Sequence, residues 1–150
     1  MSMQLDLPPI TVPEWTYASR FECEGRSAAR ARAFVSQHLI EHRLLRLVEP
    51  VRAAASELAA NAIVHARTPF TVTLSGSGSL VELCVADGAV QTPVRPPVQG
   101  AVLVMAEGGR GLHIIAALSR DWGFATAANN TKSVWATFDA GRPIGGGDWS

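Results

Sequence analysis

The stretch PVRAAASELAANAIVHAR at residues 50–67 combines an apolar stripe with a line of polar residues. At 3.6 residues per turn, its apolar side chains share one stripe, which comprises Val51, Ala55, Leu58, Ala62 and Ala66. Glu57, Asn61 and His65 are each four residues apart and follow the border of that stripe. The pattern therefore predicts a helix that packs on a core and holds a carboxylate beside a carboxamide at its edge.

The polar edge of this helix carries side chains that could take part in chemistry. Glu57 offers a proton acceptor, and Asn61 offers an amide oxygen of the kind that Mg²⁺ accepts. Because most polar positions on helices are simply solvated, the alternative is an ordinary surface helix. Motifs elsewhere in the chain are needed to distinguish a helix with a chemical role from an ordinary surface helix.

Composition limits the classes of function. The chain has 150 residues, enough for one domain with a core of ordinary size, and 47% of them are apolar. With 13 basic and 13 acidic residues the formal net charge is zero, so binding of nucleic acid through a basic face is disfavoured. Lys132 is the only lysine, and no glycine-rich loop precedes Lys132-Ser133, which excludes a P-loop.

Neither export nor membrane insertion is indicated. The N-terminus lacks a basic segment followed by an apolar run, and no apolar stretch approaches the roughly 18 residues of a spanning helix. Cys23 and Cys84 are too few and too far apart for a zinc ribbon or a disulfide framework. We therefore expect a cytoplasmic protein that makes no contact with a membrane.

The remaining patterns predict alternating strands and helices. Strands are predicted at 15–22, 70–74, 80–86, 122–126 and 133–138, and helices at 27–42, 50–67 and 112–118. SGSGS at 75–79 suits a hairpin connection, and the proline-containing segment 89–107 is long enough to be a lid. We expect an N-terminal arm at 1–14, one domain at 15–139 and a flexible tail at 140–150, with the helices on one face of a mainly antiparallel sheet.

An acidic residue ends the second strand of the predicted hairpin. The carboxylate of Asp87 can accept a hydrogen bond from an exocyclic amine such as that of adenine. It would repel the carbonyl that guanine carries at the equivalent position, so it would discriminate as well as bind. The structural alternative is that Asp87-Gly88 makes only a tight turn.

A glycine-rich sequence stands at the start of the third predicted helix. Gly109-Arg110-Gly111-Leu112 combines close backbone approach and free amide groups with one positive charge, features that favour phosphate. It is not a dinucleotide fingerprint, because the third glycine would fall at Ile114.

Together these motifs resemble the Bergerat fold, the ATP-binding domain of gyrase, heat-shock chaperones, histidine kinases and mismatch-repair proteins. The likeness is stronger to its small bacterial branch, the anti-sigma-factor serine kinases. The matching sequences are ELAANAIVHA at 57–66 for the Asn-bearing box, VADG at 85–88 for the Asp box, GRGL at 109–112 for the glycine box, and DWGF at 121–124 with KSVWATF at 132–138 for the closing strands. The resemblance covers about residues 17–138.

The resemblance implies an α/β two-layer sandwich with a mixed, mainly antiparallel sheet, which binds ATP and Mg²⁺. It implies that Asn61 coordinates Mg²⁺, that Asp87 holds adenine and that Glu57 is the general base. The phosphates would be cradled under the lid by the glycine box, which comprises Gly109, Arg110, Gly111 and Leu112. Ser133 would place a hydroxyl near the adenine.

The function implied by the resemblance is transfer of the ATP γ-phosphate to a serine or threonine of a partner protein in transcription control. The partner would be an anti-sigma-factor antagonist, with a sigma factor as another client, and a homodimer is a further expectation because family members often dimerise. Ala89 stands where the family usually has Gly or Ser. That difference favours the alternative, a non-catalytic ATP-binding or degenerate protein-interaction switch on the same fold.

A rival motif lies earlier in the chain. HLIEH at 38–42 matches the H-x-x-E-H pattern of inverted zinc peptidases, in which two histidines bind zinc and a glutamate is the base. The pattern is short, and it lies on a predicted helix whose other stripe positions are typical of a core. Histidines with a structural role explain it better.

Overall fold

The computed structural model describes residues 12–88, 109–126 and 132–141. The predicted lid at 89–107, Ala89 within it, and most of the predicted arm and tail lie outside the described residues.

Every helix and strand predicted from the sequence is present, with ends that differ by a few residues. In chain order the elements are β1 (Trp15–Phe21), α1 (Arg26–Glu41), α2 (Val48–Asn61), β2 (Phe70–Ser77), β3 (Leu80–Asp87), α3 (Gly109–Leu118), β4 (Asp121–Thr126) and β5 (Lys132–Asp139). A 3₁₀ turn, Leu45–Leu47, leads into α2, and a π-helical turn, Ala62–Ala66, extends it. The helix predicted at 50–67 therefore corresponds to α2 together with the π-helical turn.

The hairpin between β2 and β3 is tighter than the sequence predicted. Both strands extend into the SGSGS sequence, so that only Gly78 and Ser79 form the turn. Gly78 has a φ of 60°, a left-handed conformation that glycine adopts without steric cost. Ser75 belongs to the strand, because it pairs with Glu82 of β3.

The five strands form one sheet in the order β1-β2-β3-β5-β4. All four pairings between described strands are antiparallel. One face of the sheet packs against the helices around a shared core, which confirms the predicted two-layer sandwich with helices on one face. The core residues from the sheet are Phe70, Val72, Leu74, Val81, Leu83, Val85, Trp122, Phe124, Val134, Ala136 and Phe138.

Helix α2 presents its apolar stripe to this core. Val51, Ala54, Ala55, Leu58 and Ala59 are buried, as is Ala62 in the π-helical turn. Small side chains dominate the stripe, which lets the helix lie close to its neighbours. The predicted border residues Glu57 and Asn61 are half-buried, and His65 is exposed.

The opposite face of the sheet also has buried polar side chains. Glu82 is only 7% exposed although it faces away from the helices. Its direct neighbours across the sheet are Ser75 on β2 and Thr137 on β5, and both are buried. Burial raises the pKa of Glu82 to about 7, because desolvation disfavours the charged carboxylate.

Candidate functional site

The carboxylate singled out in the sequence lies at the end of a central strand. Asp87 is the last residue of β3 and is 5% exposed. Side chains alternate along a strand, so Asp87 lies on the same face as Val85, which belongs to the core beneath the helices. Asp87 therefore lies on the side of the sheet that faces the helix layer.

The polar edge of α2 ends at the same end of the sheet as Asp87. The π-helical turn that follows Asn61 ends at Arg67, whose φ of 58° is left-handed and turns the chain toward β2. The next residue is Thr68, and its Oγ1 accepts a hydrogen bond from the Gly88 amide, with a nitrogen-to-oxygen distance of 3.0 Å. This bond joins the exit of the Asn-bearing helix directly to the residue after Asp87.

The glycine box belongs to the start of α3. At the other end of this helix, the Arg120 amide donates a hydrogen bond of 2.7 Å to the Thr137 carbonyl. Thr137 pairs with Asp121, where β4 begins, whereas Thr126 and Lys132 pair at the end of the sheet that holds Asp87. Helix α3 packs on α2 and ends where β4 begins. That its first turn lies near Asp87 stays a prediction. The side chains of residues 109–112 lie outside the description, so a role for Arg110 stays a prediction.

The structure places Ser133 away from Asp87. Ser133 pairs with Ala86, and its hydroxyl forms a hydrogen bond with the Cys84 side chain, on the face opposite the helices. The pKa of Cys84 is raised to about 11, chiefly because the thiol is buried and secondly because Glu82 lies near it. The predicted role of Ser133 near the adenine stays a prediction, and the described contacts of its hydroxyl lie on the other face of the sheet from Asp87.

Lys132 lies beside Asp87 instead, and sequence reasoning did not assign it a role. It is the direct cross-strand partner of Asp87, and its Nζ lies 3.7 Å from Asp87 Oδ2. The side chains are 9% and 4% exposed, so both charges are buried. The available signal was that Lys132 is the only lysine and precedes an apolar strand, but strand register cannot be read from one sequence.

The H-x-x-E-H residues have structural partners. The His38 ring stacks on Tyr17 with centroids 3.8 Å apart, and its Nδ1 lies 3.1 Å from Glu41 Oε1. The His42 ring stacks on Trp15 at 4.1 Å, and its Nε2 lies 2.7 Å from the Tyr17 hydroxyl. These contacts pack α1 against β1 and support the structural interpretation of both histidines.

The donor set at the Asp87 end fits a magnesium nucleotide. A buried carboxylate suits a base amine, and a half-buried amide oxygen suits a hard cation. Within residues 12–88, 109–126 and 132–141, no three His, Cys, Asp or Glu side chains come together as a metal cluster. Mg²⁺ needs no such cluster, because it commonly takes one or two protein ligands and completes its shell with water and phosphate oxygens.

The fold and the arrangement of these motifs define a Bergerat-type ATP-binding domain. A sequence model of the histidine kinase-like ATPase domain matches residues 21–138. The chain therefore belongs to the histidine kinase-like ATPase domain family, and this membership supports an ATP-binding regulatory function. No curated protein matches the chain. Among the described residues, no helix is long and apolar enough to cross a membrane.

Proposed function

We propose that this domain binds ATP and Mg²⁺ and transfers the γ-phosphate to a serine or threonine of a protein antagonist, as anti-sigma-factor serine kinases do. The observation that carries the proposal is the hydrogen bond from Gly88 to Thr68, which joins the strand ending at Asp87 to the exit of the helix bearing Glu57 and Asn61. A nucleotide between those two elements would have its base at the strand and its phosphates along the helix edge.

Base recognition falls to Asp87. Its carboxylate is acceptor-only when ionised, so it pairs with the 6-amino group of adenine and repels the carbonyl oxygen of guanine. Because Asp87 is buried, water competes poorly for this hydrogen bond.

Phosphate binding falls to the helix edge and to the first turn of α3. Asn61 would hold Mg²⁺ through its amide oxygen, and the amides of the first turn of α3 would face the phosphates. Bound Mg²⁺ supplies charge neutralisation for phosphoryl transfer. The positive end of the α3 dipole adds to this at no cost in side-chain ordering.

Proton transfer falls to Glu57. It lies one helical turn before Asn61 and is half-buried, so it reaches the region next to the metal without being sealed from a partner protein. As the seryl or threonyl oxygen attacks the γ-phosphorus, the hydroxyl proton passes to the Glu57 carboxylate, and ADP leaves.

The test is phosphate transfer from labelled ATP to candidate antagonist proteins. We expect Glu57→Gln to lower the transfer rate by about 10²–10⁴, with ATP affinity kept, because only the proton acceptor is lost. Glu49→Gln is the matched control, since Glu49 lies on the same helix but is exposed. Equal transfer rates in the wild type and Glu57→Gln would contradict the assignment of the base.

The second candidate function is a switch that binds ATP without turnover and acts through protein contact. Ala89, which replaces the usual Gly or Ser after the Asp box, favours it. The same assay separates the two, because a switch shows ATP-dependent capture of the antagonist or of a sigma factor with no phosphate transferred. We propose a cytoplasmic location for either function, since both partners act in transcription control.

A further inference from the structure

A row of polar side chains crosses the outer face of the sheet, which is the face that points away from the helices. Cross-strand pairing draws one residue of the row from each strand, in the order Thr16, Ser75, Glu82, Thr137 and Asp121. The two end residues are exposed, whereas the three central ones are 7%, 7% and 1% exposed. The described helices pack on the other face, so they do not explain this burial.

A tryptophan lies next to this row on the same face. Trp135 pairs with Cys84 of β3 and with Gly123 of β4. Its ring lies over Gly123, where an added Cβ would meet Trp135 Cζ2 at 2.6 Å. The side chain is 3% exposed although it does not belong to the core cluster beneath the helices.

The indole of Trp135 carries a buried donor that lacks an acceptor. Among the described residues, its Nε1 is the buried side-chain nitrogen without a hydrogen-bond partner. Buried donors in proteins almost always have an acceptor. The acceptor therefore has to come from outside the described part of the chain.

The described chain begins beside the polar row. The Glu14 amide donates a hydrogen bond of 2.8 Å to the Gly76 carbonyl, and the Gly78 amide donates one of 3.0 Å to Glu14 Oε1. These bonds hold the chain alongside β2 at the hairpin end of the sheet. The row lies at that same end, because Ser75 directly precedes Gly76. Residues 1–11 therefore join the sheet next to the buried row.

The distance across the face suits a segment of this length. Trp135 lies on β5, three strands from β1, and a strand spacing of about 4.8 Å gives about 14 Å. An extended proline-rich segment rises about 3.1 Å per residue, so about five residues span this distance. The five residues before Val12 read LPPIT.

The composition of the arm suits a buried face with a free donor. Residues 5–13 read LDLPPITVP, whose leucines and isoleucine offer apolar surface to the indole. Pro8 and Pro9 have no N–H group, so covering them leaves no donor unpaired, and carbonyls remain as acceptors. Proline-rich segments bind aromatic surfaces in this way. The tail at 142–150 has three consecutive glycines instead, which lose more conformational entropy when they are ordered.

We propose that residues 1–11 of the N-terminal arm dock on the outer face of the sheet, where they cover Glu82, pack on Trp135 and supply a carbonyl acceptor for its indole N–H. The inference is independent of the proposed nucleotide site, because Asp87 lies on the helix side of the sheet.

The experiment follows hydrogen–deuterium exchange of the ¹⁵N-labelled tryptophan indoles by NMR, with the full chain and no nucleotide. Trp135→Phe identifies the signal of Trp135 among the four tryptophans. For the wild type we expect this signal to exchange much more slowly than free tryptophan. For the double variant Leu5→Ser/Leu7→Ser we expect exchange at Trp135 to become about tenfold faster or more, because the apolar contacts that hold the arm are lost.

The matched control is Ile144→Ser, which makes the same kind of change in the tail and should leave the exchange rate of Trp135 unaltered. Circular dichroism checks that each variant keeps the wild-type fold. If the double leucine variant does not, Pro8→Ser/Pro9→Ser replaces it. That change adds two N–H donors to the docked segment and should also speed exchange at Trp135.

Three results would overturn the proposal. Exchange at Trp135 that is as fast as in free tryptophan, or that the arm variant leaves unchanged, shows that the arm does not cover this face. Acceleration by Ile144→Ser alone assigns the cover to the tail. Exchange that slows as protein concentration rises assigns it to a second copy of the chain. Since the assay contains no nucleotide, failure of ATP binding would refute the proposed function and leave this result standing.

Discussion

The buried Glu82 leads to a prediction about stability as a function of pH. Burial raises its pKa from 4.5 to about 7 in the folded protein. The unfolded chain therefore releases this proton near pH 4.5, while the folded protein holds it until about pH 7. Between these values the folded state binds more protons, so the free energy of unfolding falls as pH rises through that window.

The size of the effect follows from the pKa difference. One pKa unit corresponds to about 1.4 kcal/mol, so a rise from 4.5 to about 7 destabilises the protein by roughly 3 kcal/mol well above pH 7. At pH 5 most of this penalty is absent, because the carboxyl is largely neutral in the folded state. Replacing Glu82 with Gln removes the titrating group and keeps the shape of the side chain. The free energy of unfolding of Glu82→Gln, relative to that of the wild type, should therefore increase by about 2–3 kcal/mol between pH 5 and pH 8.

The assay is urea unfolding of the wild type and Glu82→Gln at half-unit pH intervals from 5 to 8, with circular dichroism as the signal. The difference between their free energies of unfolding at each pH cancels the contributions of the other titrating groups. Glu49→Gln, at an exposed position, should show a difference that is constant with pH. A Glu82→Gln difference that is equally constant would refute the account of Glu82 as a desolvated carboxyl.

Three further predictions follow from the structure. Gly123→Ala should lower stability by about 1–3 kcal/mol in thermal denaturation, because the added Cβ would meet Trp135 Cζ2 at 2.6 Å, whereas Gly25→Ala, with nothing within 4 Å, should not destabilise; equal melting temperatures would contradict this packing. Arg67→Gly should raise stability by about 0.5–1 kcal/mol, because its φ of 58° is left-handed, and a loss of stability would argue against that backbone conformation. At pH 8 iodoacetamide should modify exposed Cys23 and spare Cys84, whose pKa is about 11, as checked by peptide mass spectrometry; rapid labelling of Cys84 in the folded protein would count against its burial.

The sequence was sufficient to predict the elements that frame the site. Glu57 and Asn61 lie at the border of α2 because a four-residue spacing next to an apolar stripe has one geometric meaning in a helix. Asp87 lies at the end of β3 because the alternation before it ends at Gly88. The order of the elements then predicted a sandwich with helices on one face, which the structure confirms.

Register and side-chain direction could not be predicted in the same way. The SGSGS sequence indicated a loop, but cross-strand pairing with β3 draws Ser75 into the strand. A shift of one residue along a strand exchanges the two faces of the sheet, so Ser133 and Lys132 could not be told apart as neighbours of Asp87. The π-helical turn after Asn61 likewise has no signal in helical periodicity, although it sets where α2 ends relative to β2.

We propose that Asp87, the edge of α2 and the start of α3 surround one adenine nucleotide. Calorimetric titration tests this arrangement. The wild type, Asp87→Asn and Asn61→Ala are each titrated with ATP and with GTP, with and without Mg²⁺. We expect the wild type to prefer ATP, Asp87→Asn to bind ATP about 10–100-fold more weakly, and Asn61→Ala to lose the gain in affinity that Mg²⁺ gives. Equal binding of ATP and GTP by the wild type, or an affinity for ATP that neither substitution changes, would contradict the claim.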